Sequence, residues 1–271
     1  MTDPVAFRIG PLAIYWYGIL MVLAILAGGY IASLEAKRRG ENPDHVWNGL
    51  LLVVLFGLIG ARLYHVFSNP QGTGVGWEYY RRHPVEILMI RQGGLAIYGA
   101  VAGGVFALWL YARVKGLDFL TWADFGAPGV FLGQAIGRWG NFFNQELYGY
   151  DTTVPWGIPI EQRYRLPQFA DLPETARFHP TFLYESLWCF ACFLILIFLG
   201  RRYEGRLRDG DLFLIWGILY PLGRCFTEMQ RPDAWLVEGV PMAQLLSVVA
   251  ILICGGVLIY RHRFAGKPRQ A

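Results

Sequence analysis

Charge is what this sequence has little of. Only 16% of its 271 residues are charged, against about 25% in an average soluble protein. Apolar residues make up 55% and aromatics 16%, and the mean hydropathy is +0.35. Such a balance excludes intrinsic disorder, which needs low hydropathy and high net charge, and argues against an ordinary soluble enzyme. The net charge of +4 is too small to draw nucleic acid, so no nucleic-acid partner is expected. Cysteine is scarce too: Cys189, Cys192, Cys225 and Cys254 all lie in apolar runs. They read as small core residues rather than as a disulfide framework or a zinc site. Of the four serines (Ser33, Ser68, Ser186 and Ser247) none sits in a GxSxG context, which removes a serine hydrolase of that type. There is no HExxH and no His/Asp/Glu cluster with ligand spacing, so no metal is expected.

Long apolar runs are what is present. A hydrocarbon core about 30 Å thick is crossed by roughly 20 apolar helical residues. Seven stretches qualify as spans: 14–34, 46–67, 94–112, 122–139, 182–199, 212–228 and 243–260. The first lacks a basic leader region and a small-residue cleavage site, and reads as an uncleaved span. The expected fold is therefore an all-α polytopic membrane protein, residues 1–271 forming one integral membrane domain. The segment 140–181, rich in Pro, Gly and Tyr, is too polar to span. It is long enough for a small outer cap with short strands. The glycine-rich loop 68–76 precedes no strand-to-helix turn and is not a nucleotide site.

The loops alternate in charge. One set holds Lys37, Arg38, Arg39, Arg113, Lys115, Arg201, Arg202, Arg206, Arg208, Arg261, Arg263, Lys267 and Arg269. These basic residues crowd into roughly 45 loop positions, whereas the opposite loops spread fewer over roughly 95. That sparser set is Arg8, Arg81, Arg82, Arg91, Arg163, Arg165, Arg177 and Arg231. The positive-inside rule puts the N-terminus outside and the C-terminus in the cytoplasm. Trp16, Trp47, Trp77 and Trp235 fall near span ends, as an aromatic belt would place them.

Ionisable groups at membrane depth cost several kcal/mol each and mark function by default. The fourth span ends GQAIGRWGNFFNQELYG, with Gln134, Arg138 and Asn141 on one helical face and Asn144 and Glu146 following. The sixth reads YPLGRCFTEMQRPD, with Tyr220, Arg224 and Glu228 on one stripe that Arg231 continues. Pro221 removes a backbone donor within it. Arg224 and Glu228 could simply neutralise each other. That leaves Arg138, whose helix has no nearby acid before Glu146. Two arginines facing a bundle interior suit an anionic ligand, since the guanidinium fork matches phosphate or carboxylate, and at a membrane the commonest is a phospholipid head group. Tyr17 in WYG, Arg62 in GARLYHVF and His179 in HPTFLYE are further candidates for substrate contact. Belt anchoring, a structural ion pair and helix capping are their respective alternatives. Gly99, Gly103 and Gly104 give the third span a small-xxx-small face for close helix approach.

The stretch GRWGNFFNQELYG at 137–149 resembles the signature of bacterial prolipoprotein diacylglyceryl transferases. WYG at 16–18, HPTFLYE at 179–185 and GRCFTEMQRPD at 223–233 are similar to further blocks of that family, in the same order. The resemblance implies an enzyme of the bacterial inner membrane, needing no cofactor and expected as a monomer. It would transfer the sn-1,2-diacylglyceryl group of phosphatidylglycerol to the lipobox cysteine thiol of a prolipoprotein, releasing glycerol phosphate in the first step of lipoprotein maturation. It also implies a phosphatidylglycerol-binding Arg138, with Asn141, Glu146, Arg224, Glu228 and Tyr17 as essential partners. Many members carry a histidine, a proposed base, where QGGLAIYGA places Tyr98 here. Tyr98 is then expected to position substrate, and Glu146 to neutralise Arg138 or help deprotonate the thiol. A carrier of an anionic lipid or solute is the alternative that the same arginines would serve.

Overall fold

The computed structural model describes residues 3–68, 76–90, 93–234, 236–237 and 239–264. Arg91, Trp235, Lys267, Arg269 and all but the ends of the glycine-rich loop 68–76 lie outside the described residues. In chain order the elements are β1 (Val5–Ile9), β2 (Leu12–Tyr15), α1 (Trp16–Arg38), α2 (Asp44–Ser68) and the single turn α3 (Trp77–Tyr80). Then come α4 (Ile97–Lys115), α5 (Phe119–Asn144), β3 (Ile158–Pro159), β4 (Arg177–Phe178), α6 (Thr181–Arg202) and α7 (Asp211–Glu228). The chain closes with β5 (Leu236–Val237), β6 (Val240–Pro241) and α8 (Met242–Arg263).

Seven long helices fall on the seven expected stretches to within a few residues, and they differ in how apolar they are. Among the described residues, five helices are long and apolar enough to cross a membrane: α1, α2, α4, α6 and α8. The other two, α5 and α7, fall short because they carry Asp124, Gln134, Arg138 and Asn141, and Asp211, Arg224 and Glu228. The helices that miss on hydropathy are thus the two on which the sequence concentrates polar chemistry. The N-terminal hairpin was not expected. Ile9 pairs with Leu12 across a two-residue turn, and Gly10 there has φ 58°, a left-handed conformation that glycine adopts without steric penalty.

The chain divides into two compact units, residues 33–123 and residues 1–32 with 124–271. In the unit of residues 33–123, α2 lies along α4. A Cβ on Gly60 would collide with the Gly99 carbonyl, and one on Gly103 with the Phe56 carbonyl, so the glycine face lets the two backbones touch. Arg62 donates to the carbonyls of Glu86, Ile87, Gly93 and Gly94 at 2.5–3.0 Å. It ties the segment between α3 and α4 to α2.

In the other unit the core lies among α5, α6 and α7, formed by Ala127, Phe131, Ala135, Cys189, Cys192, Leu196 and Leu212. Two α6 side chains fix the neighbours: Ser186 Oγ donates to the Ala135 carbonyl at 2.8 Å and Trp188 Nε1 to the Leu219 carbonyl at 3.0 Å. The buried Asp124 carboxylate accepts the backbone N–H groups of Gly210 and Phe213, both at 2.8 Å. It satisfies donors at the start of α7 and complements the helix dipole there. The segment between α5 and α6 has its own small core of Tyr148, Ile160, Phe169 and Phe178, with β3 and β4 paired antiparallel beside it. Burial pushes the Tyr148 hydroxyl above its usual range. As a neutral group it accepts the Leu166 N–H at 2.6 Å and donates to the Tyr164 carbonyl at 3.3 Å.

Candidate active site

The site grows from the C-terminus of α5. There the Gln145 N–H bonds the Phe142 carbonyl at 3.1 Å and the Glu146 N–H bonds the Asn141 carbonyl at 3.0 Å. That pair of bonds is the Schellman pattern of helix termination. The residue that turns left-handed is usually glycine, but here Gln145 has φ 54°, as does Leu147. The conformation costs about 1 kcal/mol for a side-chain-bearing residue. Gln145 is held in it by Glu161, whose N–H it accepts at 2.8 Å and whose carboxylate it bonds at 3.0 Å. Strain of this kind clusters where a side chain must be aimed. The aimed residue is Glu146, whose Oε1 accepts the side-chain amides of Asn141 at 2.9 Å and Asn144 at 3.1 Å.

Beside this turn runs a chain of alternating charges. Glu185 on α6 places Oε2 at 2.6 Å from Arg138 Nε on α5 and Oε1 at 2.8 Å from Arg224 Nη1 on α7. Glu228, one turn beyond Arg224, takes Arg224 Nη2 at 2.5 Å and lies 3.8 Å from Arg231 Nη1. Arg231 makes a fork with Asp233 at 2.7 and 3.0 Å. Burial alone would lower the Arg231 pKa, but the hydrogen bond and charge of Asp233, with Glu228 and Glu185, outweigh it and raise it. Three guanidiniums thus face three carboxylates. Charges so little exposed are tolerable only when paired in this way. Arg138, Glu185, Tyr220 and Arg224 line a cavity of about 10 Å³ with Trp188, Cys189, Gly223 and Thr227, which is room for one water.

The structure therefore brings Arg138, Arg224 and Glu228 together, with Tyr220 at the same cavity. Glu228 pairs with Arg224 four residues before it on the same helix. Glu146 is not what neutralises Arg138: that carboxylate comes from Glu185, which the sequence reading did not single out. Its only signal was its place at the end of HPTFLYE. Asn141 spends its amide on Glu146. Tyr17 packs on α5 where Gly140 leaves room, since a Cβ there would lie 2.5 Å from the Tyr17 ring. Trp16 stacks on Phe143 beside it, with centroids 5.0 Å apart. His179 bonds the Tyr184 hydroxyl at 3.0 Å, which also accepts Trp156 Nε1 at 2.8 Å. These bonds tie His179 and Trp156 to the first turn of α6. Arg62 and Tyr98 belong to the unit of residues 33–123, where Arg62 serves backbone carbonyls and Tyr98 sits in the first turn of α4. The Tyr98 ring lies 5.9 Å from that of Tyr64.

Comparison with known proteins agrees with the motif blocks. A family model described as prolipoprotein diacylglyceryl transferase matches residues 4–260. A phosphatidylglycerol–prolipoprotein diacylglyceryl transferase of Chloroflexus aggregans is 41% identical, the match covering 95% of this chain and 89% of that protein. Proteins of the same name from Bacillus licheniformis and Clostridioides difficile are 40% and 38% identical, over 98% and 95% of this chain and 94% of each relative. On the family match and on near-complete similarity at this level, the chain belongs to the prolipoprotein diacylglyceryl transferase family.

Proposed function

We propose that this chain moves the sn-1,2-diacylglyceryl group of phosphatidylglycerol onto the lipobox cysteine of a prolipoprotein, with Arg138 and Arg224 as the phosphate clamp. The observation that carries the reading is the convergence of these two guanidiniums from separate helices on one carboxylate, an anion position built into the bundle. The cysteine thiolate attacks the primary glycerol carbon, the C–S bond forms, and the C–O bond breaks toward phosphate. The phosphate charge grows from about −1 toward −2, so cations fixed beside it stabilise the transition state more than the bound lipid. Low local dielectric strengthens that effect. Glu228 keeps the Arg224 fork oriented. Asn141, Asn144 and Glu146 form a polar edge at the end of α5 on which the glycerol hydroxyls or the thiol proton can be received. Tyr17 and Tyr220 supply contact surface. Arg62 and His179 are further candidates for substrate contact, and Tyr98 positions substrate through its hydroxyl.

In this reading α5 and α7 cross the membrane with the five apolar helices. Their 26 and 18 residues reach about 39 and 27 Å at 1.5 Å per residue. Their polar groups point into the bundle rather than to lipid. The charge asymmetry of the loops supports an outside N-terminus, a cytoplasmic C-terminus and an outer cap at 140–181 within one integral membrane domain. The test is covalent. The purified protein, phosphatidylglycerol and a lipobox peptide yield a thioether-linked diacylglyceryl peptide and glycerol phosphate. Movement of the lipid without that product would instead identify a carrier.

A further inference from the structure

We propose that Glu185 is an internal counter-anion that occupies the phosphate position between Arg138 and Arg224 and competes the glycerol phosphate product off them after each turnover. The proposal rests on the function read above. Its starting point is geometric. One carboxylate reaches both arginines, at 2.6 and 2.8 Å, and the cavity they share has only about 10 Å³. A tetrahedral phosphate does not fit beside Glu185, so it binds there only when that side chain swings away. The Arg138 contact is suited to release: Glu185 Oε2 sits at ion-pair distance but makes no aligned hydrogen bond, and alignment is what strengthens such a contact.

Charge gives the second argument. Arg138, Arg224 and Arg231 are balanced by Glu185, Glu228 and Asp233. A phosphodiester brings one negative charge into this neutral cluster and the cleaved monoester nearly two. The arginines that stabilise the departing phosphate therefore hold the product more tightly than the substrate. A carboxylate tethered beside them acts at an effective concentration of at least about millimolar, enough to displace a soluble anion that has lost its lipid anchor.

The experiment uses the full chain in phosphatidylglycerol-containing nanodiscs with a lipobox peptide. It compares the first turnover, the steady-state rate and inhibition by added glycerol phosphate. Glu185→Gln is expected to keep the first turnover within about threefold, slow the steady state by about fivefold or more, and bind glycerol phosphate about tenfold tighter. Unchanged or weaker inhibition by glycerol phosphate overturns the proposal. So does a first turnover lost together with the steady state, since Glu185 would then only be holding the arginines in place. If Glu185→Gln does not accumulate, Glu185→Asp decides: its charge remains but cannot reach both arginines, so glycerol phosphate inhibition is expected to tighten, and no change overturns the proposal. A wild-type protein that forms no thioether product overturns the reading of function itself, whereas wild-type turnover with unmoved inhibition in the variants overturns only the role of Glu185.

Discussion

Asn141 and Glu146 are joined twice: the side-chain amide of Asn141 donates to Glu146 Oε1 at 2.9 Å, and the Glu146 N–H donates to the Asn141 carbonyl at 3.0 Å. One bond ends the helix and the other aims the carboxylate, so backbone and side-chain geometry are coupled at this point. Asn141→Asp sets two carboxylates against each other while keeping the shape. We expect it to lose about a hundredfold in transfer rate, the scale of about 3 kcal/mol. Asn141→Ala should lose comparably. Membrane abundance near wild type with near-normal transfer by both variants would remove this pair from the site.

Gly140 and Gly18 make a paired test of packing. An added Cβ at Gly140 meets the Tyr17 ring at 2.5 Å, whereas at Gly18 it meets open space. Gly140→Ala is expected to displace Tyr17 and reduce transfer about tenfold or more, at a cost of about 1–3 kcal/mol from overpacking. Gly18→Ala should be neutral or slightly stabilising, because alanine favours the helix. Thermal unfolding and transfer assays of the two variants give the comparison, and equal behaviour contradicts it.

Tyr98 stands where the family resemblance leads one to expect a histidine. A cysteine thiol with a pKa of about 8.5 is already about 3% ionised at pH 7, so a strong base adds less than phosphate stabilisation does. Tyr98→Phe is expected to lose about tenfold, the order of one neutral hydrogen bond. Tyr98→His should retain substantial activity. A thousandfold loss in Tyr98→Phe, together with loss of a basic limb in the pH–rate profile, would make the tyrosine the base.

Topology is testable with reporters. One fused after Arg206 should read cytoplasmic, and one inserted near Asp171 should read external. If both read on the same side, the span count is wrong.

The long helices and the two polar stripes were legible because hydropathy and helical spacing are local properties. Arg224 and Glu228 sit four residues apart on one helix, and their pairing follows from that spacing. Glu185 was not legible. Its partners lie 47 and 39 positions away, and only the packing of α5, α6 and α7 brings them to one carboxylate. Asp124 was hidden for the same reason: a lone acid in an apolar run gives no sign that it caps a helix 86 residues later. Arg62 was noticed for its depth, but its four carbonyl acceptors come from a segment without periodic pattern. The N-terminal hairpin was masked because residues 12–15 of β2 run without a break into the apolar start of α1.

The central claim is that fixed guanidiniums stabilise the departing phosphate, and the most direct measurement is the single-turnover transfer rate of Arg138 variants at matched membrane abundance. Arg138→Ala is predicted to fall at least about a hundredfold, about 3 kcal/mol of transition-state stabilisation. Arg138→Lys should recover only part of it, because a point charge cannot replace the planar fork. Near-wild-type single-turnover rates in Arg138→Ala would contradict the account.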